Sequence, residues 1–341
     1  MLDTQIDGKK SICLVDVDSC IPNLALMKLS SFYKQQKCKV DLIQLHKSGY
    51  DHHNREPVIL DAGQYSRVFI SSIFTLNKDL VKVKNCKHVS MGGTGNSVHK
   101  KLPDEIEHLK PDYKLYKDNQ YSLGFLTRGC IRNCPYCFIP KKEGKLKDHS
   151  PLKEFYNPRL PKIMLLDNNI LASPNCIARL KELKKTGKRV TFKQGLDFRC
   201  LTPEKAKLLS ELNYDGEYIF AFDRIEDRPV IEKGLKEIWK PLTKDWQTKF
   251  FVLVGYNTTL QQDLERVYFL KEHKCLPYIM RHSNCYSSEY KPFYTDLASW
   301  CNQPGLFKKM PFKEFIKRRH ATKERYIQTI KIIRENKLKI N

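Results

Sequence analysis

The chain has 341 residues, 41% of them hydrophobic, with 12 cysteines and a formal net charge of +23. That length supports one large domain with a smaller one, or two comparable ones, and no run of about 18 apolar residues is present to span a membrane. Cysteine is too sparse for a disulfide framework and no charged-then-apolar leader opens the chain, so a soluble, reducing, cytoplasmic setting is expected.

The N-terminal part reads as a small parallel α/β unit. Ser11–Val17 is an apolar strand ending in Asp16-Val17-Asp18. Pro22–Tyr33 carries Leu24, Met27 and Leu29 near helical spacing, with Pro22 suited to a first turn. A strand at Lys39–Ile43, a polar stretch at His46–Pro57, a buried strand at Arg67–Phe74 and a shorter one at Lys87–Met91 follow. The last closes on Gly92-Gly93-Thr94-Gly95, a loop that could cradle a phosphate or the edge of a cofactor. Short strands alternating with helical or polar stretches suggest a Rossmann-like, nucleotide-binding type of domain over residues 1–115.

The most informative segment comes next. Ser122–Thr127 reads as a strand, Arg128-Gly129 turns the chain, and Cys130, Cys134 and Cys137 then follow with Tyr136 directly before the third cysteine. The spacing Cys-x3-Cys-x2-Cys lets one short loop present three thiolates to a single iron–sulfur cube. Such cubes normally take four thiolates, so three leave one iron open to chemistry, which points to an enzyme. The alternatives are a structural zinc site, which wants a fourth ligand, or three unrelated buried thiols.

From residue 122 the pattern becomes regular. Apolar runs recur at Ser122–Thr127, Lys162–Leu166, Arg189–Phe192, Glu217–Phe222, Phe250–Val254 and Leu276–Met280, with helical stretches such as Asn175–Lys185 and Pro203–Leu212 between them. Six β-then-α units predict parallel strands closing into a partial (β/α)6 barrel of the TIM type over residues 116–289. Polar residues follow the strand ends, where such barrels do their chemistry: Asp167-Asn168-Asn169, Gln194 with Asp197 and Arg199, Asp223-Arg224, Tyr256-Asn257 and Arg281-His282-Ser283. Gln194 and Asp223 would then face a common mouth and meet either a cofactor or a substrate. Residues 290–341 form a basic helical extension in which Tyr326, Ile327, Ile330 and Ile333 are expected to share one apolar face. From Lys308 to Asn341 there are twelve Lys/Arg against three Glu. An acidic partner, nucleic acid first, is one reading of that charge; a lysine-rich solvated surface is the other.

The segment Gly124–Gly144, with Thr-Arg-Gly-Cys, Cys-x-Tyr-Cys, Ile-Pro and Glu-Gly in succession, resembles the signature of radical S-adenosylmethionine (SAM) enzymes. The resemblance is strong at this loop and loose elsewhere. It implies a 4Fe–4S cluster on Cys130, Cys134 and Cys137, with SAM chelating the open iron and being cleaved reductively to a 5′-deoxyadenosyl radical. An electron donor such as flavodoxin or ferredoxin is implied as a partner. It also implies that Asp167 and Asn168 meet the SAM amino group, although the glycine-rich version common in the superfamily is absent here. Tyr136 and Gly255 would lie near the adenine, each with an ordinary packing role as its alternative.

The N-terminal unit resembles the cobalamin-binding type of domain that precedes many such barrels. The histidine motif of that domain, Asp-x-His-x-x-Gly, is missing: the first strand ends in Asp16-Val17-Asp18-Ser19-Cys20, and Asp51-His52-His53-Asn54-Arg55-Glu56 lies elsewhere and ends in Glu. Cobalamin is therefore not expected. A methylthiotransferase-like RNA-modifying enzyme is an alternative, but Cys38 and Cys86 do not follow strands as that family's second cluster requires of them and Cys20. A non-catalytic, zinc-stabilised nucleic-acid-binding protein is the other. Cys13, Cys176, Cys200, Cys275, Cys285 and Cys301 read as small buried hydrophobes.

Overall fold

The computed structural model describes residues 10–45, 56–318 and 323–340. The stretch at His46–Pro57, apart from Glu56 and Pro57, lies outside the described residues, and with it most of the segment Asp51–Glu56. The described chain is mixed α/β with mostly parallel strands. It divides into two compact units, Met1–Met164 and Leu165–Asn341.

In the first unit, strands β1 (Ser11–Asp16), β2 (Lys39–Gln44), β3 (Val58–Asp61), β4 (Arg67–Ser71), β5 (Val81–Lys84) and β6 (Val89–Gly92) follow in sequence, with helix α1 (Leu24–Gln35) between the first two. Four of them form a parallel sheet in the order β2-β1-β4-β6. Side chains alternate across a strand, and β1 uses both faces. Ile12 and Leu14 enter a core with Leu26, Leu29, Tyr33, Phe69 and Ile106. Cys13 and Val15 enter another with Val17, Val68, Ile70, Leu80 and Val81. Burying each such Leu, Ile or Phe contributes about 1.5–3 kcal/mol.

Several predicted boundaries move for local reasons. Helix α1 begins at Leu24, not Pro22, because Asn23 is its cap: Asn23 Oδ1 accepts from Leu26 N at 3.3 Å, and its amide donates to Ser71 Oγ at 2.9 Å. Strand β4 stops at Ser71 instead of reaching Phe74. The Asp18 carboxylate accepts from Ile73 N (2.7 Å), Phe74 N (3.0 Å) and Asn77 Nδ2 (3.1 Å), bending the chain into a 3-10 turn. Strands β3 and β5 escape sequence reading: they are four residues each and pair in parallel with one another, and Lys82 and Lys84 alternate with valines in the second.

The unit continues through α2 (Asp104–Glu107), β7 (Tyr121–Gly124), β8 (Thr127–Arg128), α3 (Ile139–Lys142), β9 (Lys147–Asp148), α4 (Leu152–Phe155) and β10 (Lys162–Leu165). The single strand expected at Ser122–Thr127 is two. A Cβ at Gly124 would run into the Phe155 ring, and beyond it Thr127 and Arg128 pair antiparallel with Asp148 and Lys147.

In the second unit the chain alternates α5 (Cys176–Lys185), β11 (Arg189–Phe192), α6 (Pro203–Ser210), β12 (Tyr218–Ala221), α7 (Arg228–Gly234), β13 (Thr248–Val254), α8 (Leu260–Glu272) and β14 (Leu276–Arg281). β12, β13 and β14 pair in parallel in chain order, and isolated parallel bridges at Val190–Tyr214 and Leu196–Phe220 bring the β11 segment beside β12. Strand β13 buries every second residue, including Phe250, Val252 and Val254. Phe198, Phe220, Phe250 and Trp239 form an aromatic core, with Trp239 Nε1 bonded to Thr248 Oγ1 at 2.8 Å.

The remaining helices are α9 (Asn284–Ser287), α10 (Lys291–Cys301), α11 (Pro304–Lys309), α12 (Phe312–Arg318) and α13 (Lys323–Glu335). Trp300 packs against the tilted rings of Phe307 and Phe312 and donates to Met310 O at 3.0 Å. Asn302 bonds both backbone groups of Ile279 (2.7 and 3.2 Å), covering part of β14 with a side chain. The apolar face of α13 differs from expectation. Ile332 and Ile333 are buried while Ile327 is 56% exposed. A polar bond turns the helix: buried Thr329 donates to Asp296 Oδ2 at 2.8 Å.

Candidate functional site

The three-cysteine loop begins and ends on the β8–β9 ribbon, so both its ends are held. Gly129 has φ +82°, the left-handed region that favours glycine, and a Cβ there would stand 2.6 Å from Gly144 O. Cys130 N donates to Gly144 O at 3.3 Å, and His149 N to Leu126 O at 2.9 Å. The Arg-Gly-Cys and Glu-Gly stretches are thus the two facing sides of one turn.

Within the loop, Cys130, Cys134 and Cys137 are half-buried, and none of the cysteines is in a disulfide. Arg132 N donates to Cys130 Sγ at 3.3 Å and Ile139 N to Cys137 Sγ at 3.4 Å, while Cys137 N bonds Cys134 O at 3.0 Å. Two of the three sulfurs thus each face a backbone N–H donor. Tyr136 is half-buried, and Ile131 and Phe138 expose 54% and 45% of their surface. The donor chemistry fits an iron–sulfur group. Among the described residues, however, no group of three or more His, Cys, Asp or Glu side chains is arranged to hold a metal ion. Binding one would require the three thiols to turn onto a common centre within a loop whose ends are already held.

Beneath the loop lies a charge network that sequence reasoning missed. Glu107 Oε1 accepts from Arg128 NH2 (2.6 Å) and Lys28 Nζ (2.9 Å), and His149 Nε2 lies 3.2 Å away. Arg128 also reaches Glu143 Oε1 at 3.0 Å and covers the Phe125 ring at 3.9 Å. Burial works to raise the Glu107 pKa, but the His149 hydrogen bond and the Arg128 and Lys28 charges hold its carboxyl well below the usual range. Burial lowers the pKa of Lys28, against the pull of Glu107. The partners of Glu107 stand 21 to 79 residues from it in the chain, beyond the reach of any periodicity.

The other predicted site residues lie in the second unit. Asp167 is 2% exposed. Asn168 is half-buried, and its Nδ2 is sealed from solvent without a hydrogen-bond partner among the described residues. Asn169 Nδ2 lies 3.4 Å from Asp197 Oδ2, and Arg199 bridges Asp197 (2.7 Å) and Asp227 (2.9 Å). Three of the polar residues read as strand ends are therefore joined, together with Asp227, which was not foreseen. Gln194 is exposed.

Asp223 and Gly255 have structural employment. Asp223 Oδ1 accepts from Leu253 N at 3.0 Å. Gly255 has φ +74°, and a Cβ there would strike Cys285 Sγ. Its N–H donates to Asp263 Oδ2 (3.2 Å), which also accepts from Tyr294 (2.9 Å), while Asp263 Oδ1 pairs with fully buried Arg266. Arg266 in turn donates to Phe222 O (2.9 Å) and Leu253 O (2.8 Å), tying two strand ends together. An Asp and an Arg three apart on α8 were the only sequence hint of this.

In the first unit, Asp16 and Asp18 also serve the fold: Asp16 accepts from Tyr116 OH at 2.7 Å, and Asp18 holds the loop after β4. Cys38 is buried and Cys86 Sγ sits 3.5 Å from Tyr65 O. No protein-family model matches the chain, and no curated protein matches it.

Proposed function

We propose that the chain is a radical SAM enzyme. The observation that carries this reading is the loop itself: three cysteines at Cys-x3-Cys-x2-Cys, two with backbone N–H donors on sulfur, between ends pinned by Gly129 and Gly144. A 4Fe–4S cluster held there, with SAM on its open iron, would supply one-electron cleavage of SAM and hydrogen abstraction from a substrate.

The chain's own residues then have definite tasks. Arg132 N and Ile139 N would donate to two of the cluster's sulfur ligands. Arg128, locked between Glu107 and Glu143, fixes the loop entrance. Asn168 presents a sheltered amide donor, its Nδ2. That differs from the acceptor role toward the amino group that the resemblance implied.

The parallel order β2-β1-β4-β6 supports a Rossmann-like reading of the first unit, and the chain-order pairing of β12, β13 and β14 supports a barrel-type reading of the second. Buried Cys38 lends no support to the second cluster that a methylthiotransferase would need. A flavodoxin or ferredoxin as electron donor and a nucleic acid as substrate belong to the proposal.

Anaerobic reconstitution with iron and sulfide, followed by reductant and SAM, tests it. The expected result is 5′-deoxyadenosine from wild type and none from Cys134→Ala. Purified protein carrying zinc without iron or sulfide, and making no 5′-deoxyadenosine under any reductant, would sink the assignment in favour of a zinc-stabilised binding module.

A further inference from the structure

A cavity of about 490 Å³ lies within the first unit, a size that suits a small organic ligand. One wall is apolar: Leu26 and Leu29 from α1, Phe69 from β4 and Met91 from β6. The carboxyl ends of β4 and β6, at Ser71 and Gly92-Gly93, also line it, and ligands of parallel α/β sheets gather at such ends. Gly93 has φ +87°, and a Cβ there would collide with Ser72 O, so only glycine keeps this turn in place.

The rest of the lining is largely charged. Lys100, Lys101, Lys142, Lys147 and Arg128 line the cavity together with Asp104, Glu107, Glu143 and Asp148. Glu107 and Glu143 are already engaged by Arg128, with Lys28 on Glu107. That leaves four lysines against two aspartates, and none of those lysines makes an ion pair among the described residues. Lys142 is half-buried, and its Nζ is positioned 2.8 Å from Thr94 Oγ1, beside the glycine turn. A half-buried ammonium that makes no direct ion pair, next to a glycine turn that a side chain cannot enter, suits an anion from outside.

We propose that this cavity binds a phosphomonoester of nucleoside-monophosphate size. Its phosphate sits between Lys142 and the Gly92–Gly93 turn, Lys100 and Lys101 complete the charge, and its body lies against Leu26, Phe69 and Met91. The dianionic phosphate matches the surplus of lysines, and the apolar wall gives the remainder a place. The inference uses only residues of the first unit and does not depend on the cluster.

Isothermal titration calorimetry on the full chain, with UMP as the probe and uridine and inorganic phosphate as controls, tests it. UMP is expected to bind more tightly than inorganic phosphate, with no heat from uridine. Lys142→Ala and, separately, the Lys100→Ala/Lys101→Ala pair should each weaken UMP by about tenfold or more, the loss expected for one charge-assisted contact. Thermal melting shows whether each variant is folded, and the lysine pair stands outside the cysteine loop should Lys142→Ala disturb it. Cys134→Ala should bind UMP like wild type, so a failed cluster assignment leaves this result intact. No heat with UMP up to about 1 mM, equal binding of uridine, or unchanged affinity in folded variants of both kinds would overturn the proposal.

Discussion

Single side chains here divide into those kept for packing and those kept available. Burial pushes the thiols of Cys13 and Cys275 up to about 12 and those of Cys176 and Cys285 to about 11, and raises that of Cys301 well above its ordinary value. These five are neutral fillers at neutral pH; Cys200, read the same way from sequence, is half-buried instead. Brief alkylation with iodoacetamide, read by peptide mass spectrometry, should therefore modify Cys20, Cys130, Cys134 and Cys137 well before those five. Iron and sulfide should then protect Cys130, Cys134 and Cys137 selectively. A second residue-scale expectation concerns Glu107. Its partner Lys28 has only 5% of its side chain exposed, so Glu107→Gln strands buried positive charge and should cost about 3–5 kcal/mol in urea denaturation. Because the folded-state pKa of Glu107 is depressed, its contribution is full above about pH 4.5, the ordinary value, and is lost as pH falls through the folded value. The wild-type advantage over Glu107→Gln should stay level from neutral pH to about 4.5 and shrink below it.

At the scale of elements, the cysteine loop closes where a glycine lets its two sides approach. Gly129 and Gly144 both have positive φ, but only Gly129 faces carbonyl oxygens at collision distance, whereas nothing lies within 4 Å of a Cβ on Gly144. Gly129→Ala should thus lose about 1–3 kcal/mol and open the loop to trypsin at Lys141, Lys142 and Lys145. Gly144→Ala, strained but unobstructed, should lose less. Equal effects in the two variants would mean that backbone strain alone, without the clash, governs the loop. Helix starts follow the same local logic: α8 opens with a capping box in which Thr259 and Gln262 bond each other's backbone, a signal written within four residues.

Across the whole molecule the charge of +23 is the dominant property. Helices α11 and α12 bury Phe307, Phe312, Phe315 and Ile316 and leave Lys308, Lys309, Lys313 and Lys317 exposed. Among the described residues no helix is long and apolar enough to cross a membrane. If the lysines engage nucleic acid, filter binding should weaken with salt at a slope of about −0.7 to −0.9 per phosphate contacted. Reversing Lys308, Lys309, Lys313 and Lys317 to Glu should flatten that slope. A salt-independent signal, or none, would leave these lysines as solvating surface only.

Features encoded within a few residues were legible in the chain itself. The Cys130–Cys137 spacing, the short apolar runs of β1, β11 and β13, and the approximate spans of α5 and α6 all depend on local chemistry, where spacing and composition are the information. Residue roles that depend on distant partners were not. Asp18 holds a loop 55 residues away, Glu107 gathers Lys28 and Arg128, and Gly255 is required by Cys285. Ile327 was placed on the buried face of α13 by its periodicity and is exposed because Thr329 bonds Asp296. The cavity walls likewise come from α1, β4, β6 and the cysteine loop together. Sequence specifies which groups are present and how each segment prefers to lie, but a charge or a cavity acquires its role only from the neighbours that folding brings to it.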